Sequence, residues 1–238
     1  MKKLLPLINA IALIGIVMNA SAQLYVAGDF NGWVPDSIAM TETSAGSGIW
    51  QATISYAAGT YYQFKVETNA WSWSTPSSGN SWLYTDGSGS ATITYNANTV
   101  ADGWSSSLGR IGVNNDPGTW TAVGDWQSAV WVNNDPTTVM TSIGGGIYEL
   151  SYVIGTAGSY NYKAVDTGSW DAIGADARSV NAANLGFTTT SANQAVNFYV
   201  DAINGTIKVD VVAVPEPSTL AICGLSGLAA FFLIRRRR

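Results

Sequence analysis

Gly59-Thr60-Tyr61-Tyr62-Gln63-Phe64-Lys65-Val66 returns roughly 100 positions later as Gly158-Ser159-Tyr160-Asn161-Tyr162-Lys163-Ala164-Val165, with one residue inserted in the first copy. Each stretch is short, rich in aromatic and β-branched residues, and opened by glycine, the pattern of a β-strand. The match spreads outward. Upstream, Tyr25-Val26-Ala27-Gly28-Asp29-Phe30-Asn31-Gly32-Trp33 answers to Thr121-Ala122-Val123-Gly124-Asp125-Trp126, Pro35 and Met40-Thr41 to Pro136 and Met140-Thr141, and Gly48-Ile49-Trp50 to Gly146-Ile147-Tyr148. Downstream, Trp71 answers to Trp170, and 91–95 is matched to 195–199.

The strands expected in the first copy are 25–27, 49–55, 61–66 and 91–95. The second copy adds 207–212, entered through Asn204-Gly205, a dipeptide suited to a type I′ hairpin turn with φ > 0 at both central residues. Asn204-Gly205-Thr206 is also a glycosylation sequon, and the turn is the preferred reading. Strands at this spacing without a long helical pattern predict an all-β chain of two tandem immunoglobulin-like β-sandwich domains. The expected layout is a signal peptide at 1–22, a first module at 23–112, a linker at 113–118, a second module at 119–213 and a tail at 214–238. Helix is expected only in the two hydrophobic ends.

The N-terminal end reads as a secretory signal. Lys2 and Lys3 precede an apolar run, and Ala20-Ser21-Ala22 fits the small-x-small rule for cleavage between Ala22 and Gln23. The C-terminal end has three parts: Val214-Pro215-Glu216-Pro217-Ser218-Thr219, kept extended by its prolines; an apolar segment at 220–234; and Arg235, Arg236, Arg237 and Arg238. That order resembles the PEP-CTERM sorting signal of Gram-negative bacteria. The resemblance implies an exosortase-type processing enzyme as partner and an intermediate anchored in the inner membrane. Delivery to the cell surface or extracellular matrix would follow. Four arginines are expected to stay cytoplasmic, leaving the body outside.

Between the ends, the body carries 5 basic and 15 acidic residues, a formal charge of about −10 that disfavours nucleic acid as a partner. The chain has no histidine and its one cysteine, Cys223, lies in the tail. The body therefore lacks the commonest general base and metal ligand, and no disulfide forms within it. No nucleophile elbow, phosphate loop or metal cluster is visible, and the body's only glutamates are Glu42, Glu67 and Glu149. The expectation is a non-enzyme that needs no cofactor and no metal. Val-Asn-Asn-Asp-Pro at 113–117 and again at 132–136 admits two readings, a calcium loop or a turn, and one carboxylate per loop favours the turn.

The ordered set Gly28-Asp29-Phe30-Asn31-Gly32-Trp33, Tyr62-Gln63-Phe64-Lys65-Val66 and Trp71 resembles the glycogen-binding module family, which includes early-set domains of isoamylases and branching enzymes and the β subunit of AMP-activated protein kinase. The second copy, with Gly124-Asp125-Trp126, Tyr160-Asn161-Tyr162-Lys163 and Gly168-Ser169-Trp170-Asp171, is similar to modules appended to bacterial amylases and pullulanases. The resemblance implies a polysaccharide partner, an α-glucan or exopolysaccharide, held on a platform of two tryptophans and a lysine. By position these are Trp33, Lys65 and Trp71 in the first copy, and Lys163 and Trp170 in the second. The second copy departs at the first tryptophan, where a longer loop leaves Trp131 to substitute. Trp73 is a further candidate, because alternation along an extended segment would put it on the face of Trp71. The alternative is a structural or adhesive matrix protein whose aromatics only pack.

Overall fold

The computed structural model describes residues 22–98, 109–175 and 177–213. Among them the chain is almost entirely β, with one short 3-10 turn at Asp29–Asn31. The first half supplies β1 (Tyr25–Gly28), β2 (Ile38–Ala39), β3 (Thr41–Glu42), β4 (Ile49–Ser55), β5 (Tyr61–Thr68), β6 (Trp73–Thr75), β7 (Ser81–Tyr84), β8 (Ser90–Asn96) and β9 (Arg110–Val113). The second supplies β10 (Trp120–Gly124), β11 (Thr141–Gly144), β12 (Ile147–Ile154), β13 (Gly158–Asp166), β14 (Asp171–Gly174), β15 (Ala177–Val180), β16 (Leu185–Thr189), β17 (Gln194–Asp201) and β18 (Thr206–Val211). The expected helices of the two ends lie outside the described residues.

Each half folds as two antiparallel sheets over one core. In the first, β2-β1-β5-β6 with β7 beside β5 faces β3-β4-β8-β9; in the second, β10-β13-β14-β15 with β16 beside β13 faces β11-β12-β17-β18. Val26, Phe64, Val66 and Leu83 from one sheet meet Ile54, Ile93, Ile111 and Val113 from the other. The second core holds Trp120, Tyr162 and Ile173 against Phe198, Val200 and Ile207. Alternation explains the choice: in β8 and β17 every second residue is buried, and the outward face of β8 carries only Ser90, Thr92, Thr94 and Asn96.

The repeat survives at the level of register. Ala27 lies opposite Lys65 and Gly28 opposite Phe64; in the second half Val123 lies opposite Lys163 and Gly124 opposite Tyr162. One part of the sequence match is corrected. Ile49 pairs with Asn96 and Ile147 with Asp201, so 91–95 corresponds to 196–200 rather than 195–199. A one-residue slip exchanges the two faces, and only the corrected match puts Val196, Phe198 and Val200 where Ala91, Ile93 and Tyr95 are buried. The hairpin before β18 is also corrected. Asp201 pairs with Thr206, leaving a four-residue loop in which Gly205 alone has φ > 0, and the Asp201 carboxylate caps the Ile203 and Asn204 amides. This is not the two-residue type I′ turn that Asn204-Gly205 suggested.

The 113–118 stretch is short and engaged. Val113 pairs with Ile93, Asn115 Nδ2 donates to the Tyr84 and Ser90 carbonyls, and Asp116 accepts from Trp120 Nε1 and Tyr148 OH. The halves are joined more broadly by β7. Trp82, fully buried, enters the core of the second half, 5.9 Å from the Trp120 ring. Its Nε1 donates to Ala172 O, Ser81 Oγ to Arg178 O, and the Val180 amide to Asn80 O. The Arg178 guanidinium covers the Trp82 ring at 4.4 Å, and its Nη2 donates to Ala202 O. Elsewhere on this joint two glycines permit backbone contact: a Cβ on Gly112 would stand 2.3 Å from Ile203 O, and one on Gly205 1.9 Å from Ile111 O.

Candidate functional site: two tryptophan platforms

The first platform grows from the end of β1. Gly28 O accepts the Trp33 amide at 2.9 Å, which turns the chain into a left-handed Trp33 at φ 61°. Asp29 then fixes the indole: its Oδ1 accepts from Trp33 Nε1 and its Oδ2 from the Gln63 amide on β5. Trp71 arrives from the other side. Asn69, Ala70 and Trp71 run consecutively at φ 45°, 49° and 72°. Left-handed backbone costs a non-glycine residue about 1–2 kcal/mol, so three together need support. Glu67, fully buried, accepts the Asp36 amide on Oε1 and the Trp71 amide on Oε2, while the Asp36 carboxylate accepts the Ala70 amide. The two indoles meet with ring centres 6.2 Å apart, tilted by 37°. Lys65 lies on the same outward face of β5 as Gln63 and Glu67, and its Nζ donates to Pro76 O at 2.7 Å. Burial pulls its ammonium below the usual lysine range.

Trp73 does not join them. Because Trp71 is left-handed rather than extended, alternation does not carry from one to the other. Trp73 packs on Tyr95 at 5.8 Å and lines a separate groove with Trp50 and Thr68.

The second platform repeats the first with different loops. Gly124 O accepts the Trp131 amide at 3.1 Å, and Trp131 is left-handed at φ 58°. Gln127 Oε1 accepts the Gly124 amide as Asn31 Oδ1 accepts that of Gly28. Trp131 is therefore the counterpart of Trp33 although two more residues separate it from its glycine. Trp126, nearer in sequence, is buried and stacked on Phe198 at 4.4 Å. Here the loops are laced by Asn133, whose carbonyl accepts the Gly168 amide and whose Nδ2 donates to Ser169 O.

Trp131, Lys163, Trp170, Asn181 and Asn184 line an open cleft of about 440 Å³. Lys163 Nζ stands 5.7 Å from the Trp131 ring centre and 5.4 Å from that of Trp170, within cation–π range of both. The lysine is 5% exposed and donates to Asn181 Oδ1 and Ala182 O, whereas Trp170 is 40% exposed. Asn181 and Asn184 escaped the sequence reading, since the first copy shows no partner for them; the only local signal was an asparagine suited to the left-handed φ of 55° at Asn181.

The remaining candidates sit apart from both platforms. Asp116 and Asp135 spend oxygens on their own turns, accepting the Gly118 and Thr137 amides. Among the described residues no cluster of three or more metal-ligating side chains occurs. Glu42 caps the Gly46 and Gly48 amides. Gln23, at the expected cleavage point, donates to Met40 O beside β1. Pro215, Glu216, Pro217 and the arginines Arg235, Arg236, Arg237 and Arg238 lie outside the described residues. No helix among the described residues is long and apolar enough to cross a membrane.

No curated protein matches the chain. Residues 213–238 do match a protein-sorting family, the PEP-CTERM protein-sorting motif. The motif implies export, processing by an exosortase-type enzyme, and a membrane-anchored sorting intermediate in a Gram-negative bacterium. The chain thus carries a PEP-CTERM sorting tail behind an almost wholly β body.

Proposed function

We propose that the exported body is a non-catalytic carbohydrate-binding protein. Two immunoglobulin-like β-sandwich modules, 23–112 and 119–213, hold an α-glucan or the cell's own exopolysaccharide at the cell surface or in the matrix. The observation that carries this reading is the Trp131–Lys163–Trp170 cleft. A pyranose ring presents C–H groups on its faces, and indole offers the largest flat apolar surface with little rotamer entropy to lose. The Asn181 and Asn184 side-chain amides at the margin supply groups that suit sugar hydroxyl and ring oxygens, with Lys163 beneath them bonded to Asn181 Oδ1. An open cleft with half-exposed indoles suits a polymer passing through better than a small molecule enclosed within. The Trp33–Trp71 pair gives the first module a second surface of the same chemistry.

Affinity-gel electrophoresis of the exported protein against glycogen, starch and native exopolysaccharide tests the reading. Retardation by at least one polymer is expected, weakened by Trp131→Ala with Trp170→Ala and abolished when Trp71→Ala is added. Unchanged mobility with every polymer, or retardation that survives the triple variant, contradicts it. A structural or adhesive role is the second reading. It draws on the edge strand β11, exposed at every residue, and on Ile143 and Val153, each more than half exposed, and it expects self-association without glycan retention.

A further inference from the structure

The two platforms are linked through one sheet. Phe64 and Val66 of β5 point into the first core, so Gln63, Lys65 and Glu67 occupy the opposite face. On β7, Trp82 lies opposite Gln63 and Tyr84 opposite Tyr61, which places both on that same outward face. The second module docks there: Trp82 enters its core, Tyr61 OH donates to Asp171, and Tyr84 OH to Asp166. The first platform and the footing of the second module therefore share one face of one sheet.

The loop between Pro76 and Asn80 bridges the two. Pro76 O accepts Lys65 Nζ, Asn80 Nδ2 donates to Gln63 Oε1, and Asn80 O accepts the Val180 amide. Asn181 follows at once; its amide donates to Trp170 O and its Oδ1 accepts Lys163 Nζ. The path from one lysine to the other runs through five peptide units, their carbonyl and side-chain arms, and three hydrogen bonds of 2.7, 2.9 and 2.8 Å. At no more than about 3.6 Å per residue, the two amines lie within roughly 35 Å of each other. Because Trp82, Ser81 and Asn80 are all bonded or packed into the second module, that separation is fixed and does not depend on a flexible linker.

We propose that the two platforms form one extended surface that engages a single polysaccharide chain at two points. The inference rests on the carbohydrate reading above and adds to it the partner: a polymer long enough to bridge from Trp33 and Trp71 to Trp131 and Trp170, in preference to short oligosaccharides. Holding two weak sites at fixed spacing makes the second contact intramolecular, at an effective concentration in the millimolar range. Affinity then rises with chain length beyond what either site gives alone.

Calorimetric titration of the full-length exported protein in detergent tests this with two pairs of probes: maltotriose against maltodecaose, and short acid-released fragments of the exopolysaccharide against the intact polymer. The long member of the binding pair is expected to bind about tenfold tighter or more, at one chain per protein. Trp71→Ala or Trp170→Ala, each at an exposed position, should remove that gain while leaving short-chain affinity at the intact site unchanged. Equal affinity for long and short members, or a gain that survives either substitution, overturns the bridging and leaves the carbohydrate reading standing. No binding of any probe overturns both.

Discussion

Asp166 carries the clearest electrostatic signal in the molecule. Desolvation at the joint between the halves pushes its carboxyl up to about 6, with the neighbouring Asp171 and Asp116 charges adding to the rise and the Tyr84 hydroxyl and Arg178 opposing it. Asp171 is raised as well, again chiefly by desolvation. A carboxyl with a raised folded pKa holds its proton more tightly in the native state, so stability falls as pH climbs through the window from about 4 to about 6. Asp86, which is lowered by the Ser88 and Ser90 hydrogen bonds, contributes only below that window. The protein is expected to melt several degrees higher near about pH 5 than near about pH 7, with Asp166→Asn flattening the difference. Scanning calorimetry across that range checks it; a lower melting point at the acidic end would be inconsistent with this assignment. Single residues were unevenly legible. The lysines and Trp170 stood out because the repeat placed them. Trp131 was visible only as a substitute, because its equivalence to Trp33 is written in a backbone bond to Gly124 and a left-handed φ rather than in sequence distance.

Among the elements, the long central strands were readable and the short ones were not. Tyr61–Thr68 and Ile49–Ser55 announce themselves by aromatic and β-branched content. β6, β7, β14 and β15 are only three or four residues long, and β7 is buried on one face by the first core and on the other by the second module, which erases the alternation that reveals a strand. The slip in matching β8 to β17 has the same origin, since Ala195 and Tyr199 resemble Ala91 and Tyr95 in type but lie on the other face. The turn before Trp71 was the hardest element to foresee. Its left-handed run is held from outside by Glu67, so no local propensity encodes it. Glu67→Gln keeps one acceptor and loses the other, leaving a backbone amide in the turn without its partner. The variant is expected to lose about 1–3 kcal/mol in chemical denaturation, more than an exposed carboxylate would contribute. A change within experimental error would remove Glu67 from the assembly of the platform.

At the scale of the whole molecule, two gene-like copies of one β module have become a single body. The division of labour between body and ends was legible in the sequence: the Pro215-Glu216-Pro217 tail matches a sorting motif, and the body is nearly all β. The docking was not legible, because Trp82 reads as an ordinary strand tryptophan until its partners Trp120 and Arg178 are in view. The joint also ties the two indole platforms together through the Pro76–Asn80 loop and Asn181, and that fixed link gives the carbohydrate reading its physical content. Ten tryptophans make the reading directly measurable. Indole N–H resonances of the isotope-labelled protein can be followed while the glycan is added. Trp131, Trp170, Trp33 and Trp71 are expected to shift together, while the buried Trp82 and Trp120 stay fixed as internal references. Resonances that remain unmoved at saturating polymer, or shifts confined to indoles outside the two platforms, would contradict the account.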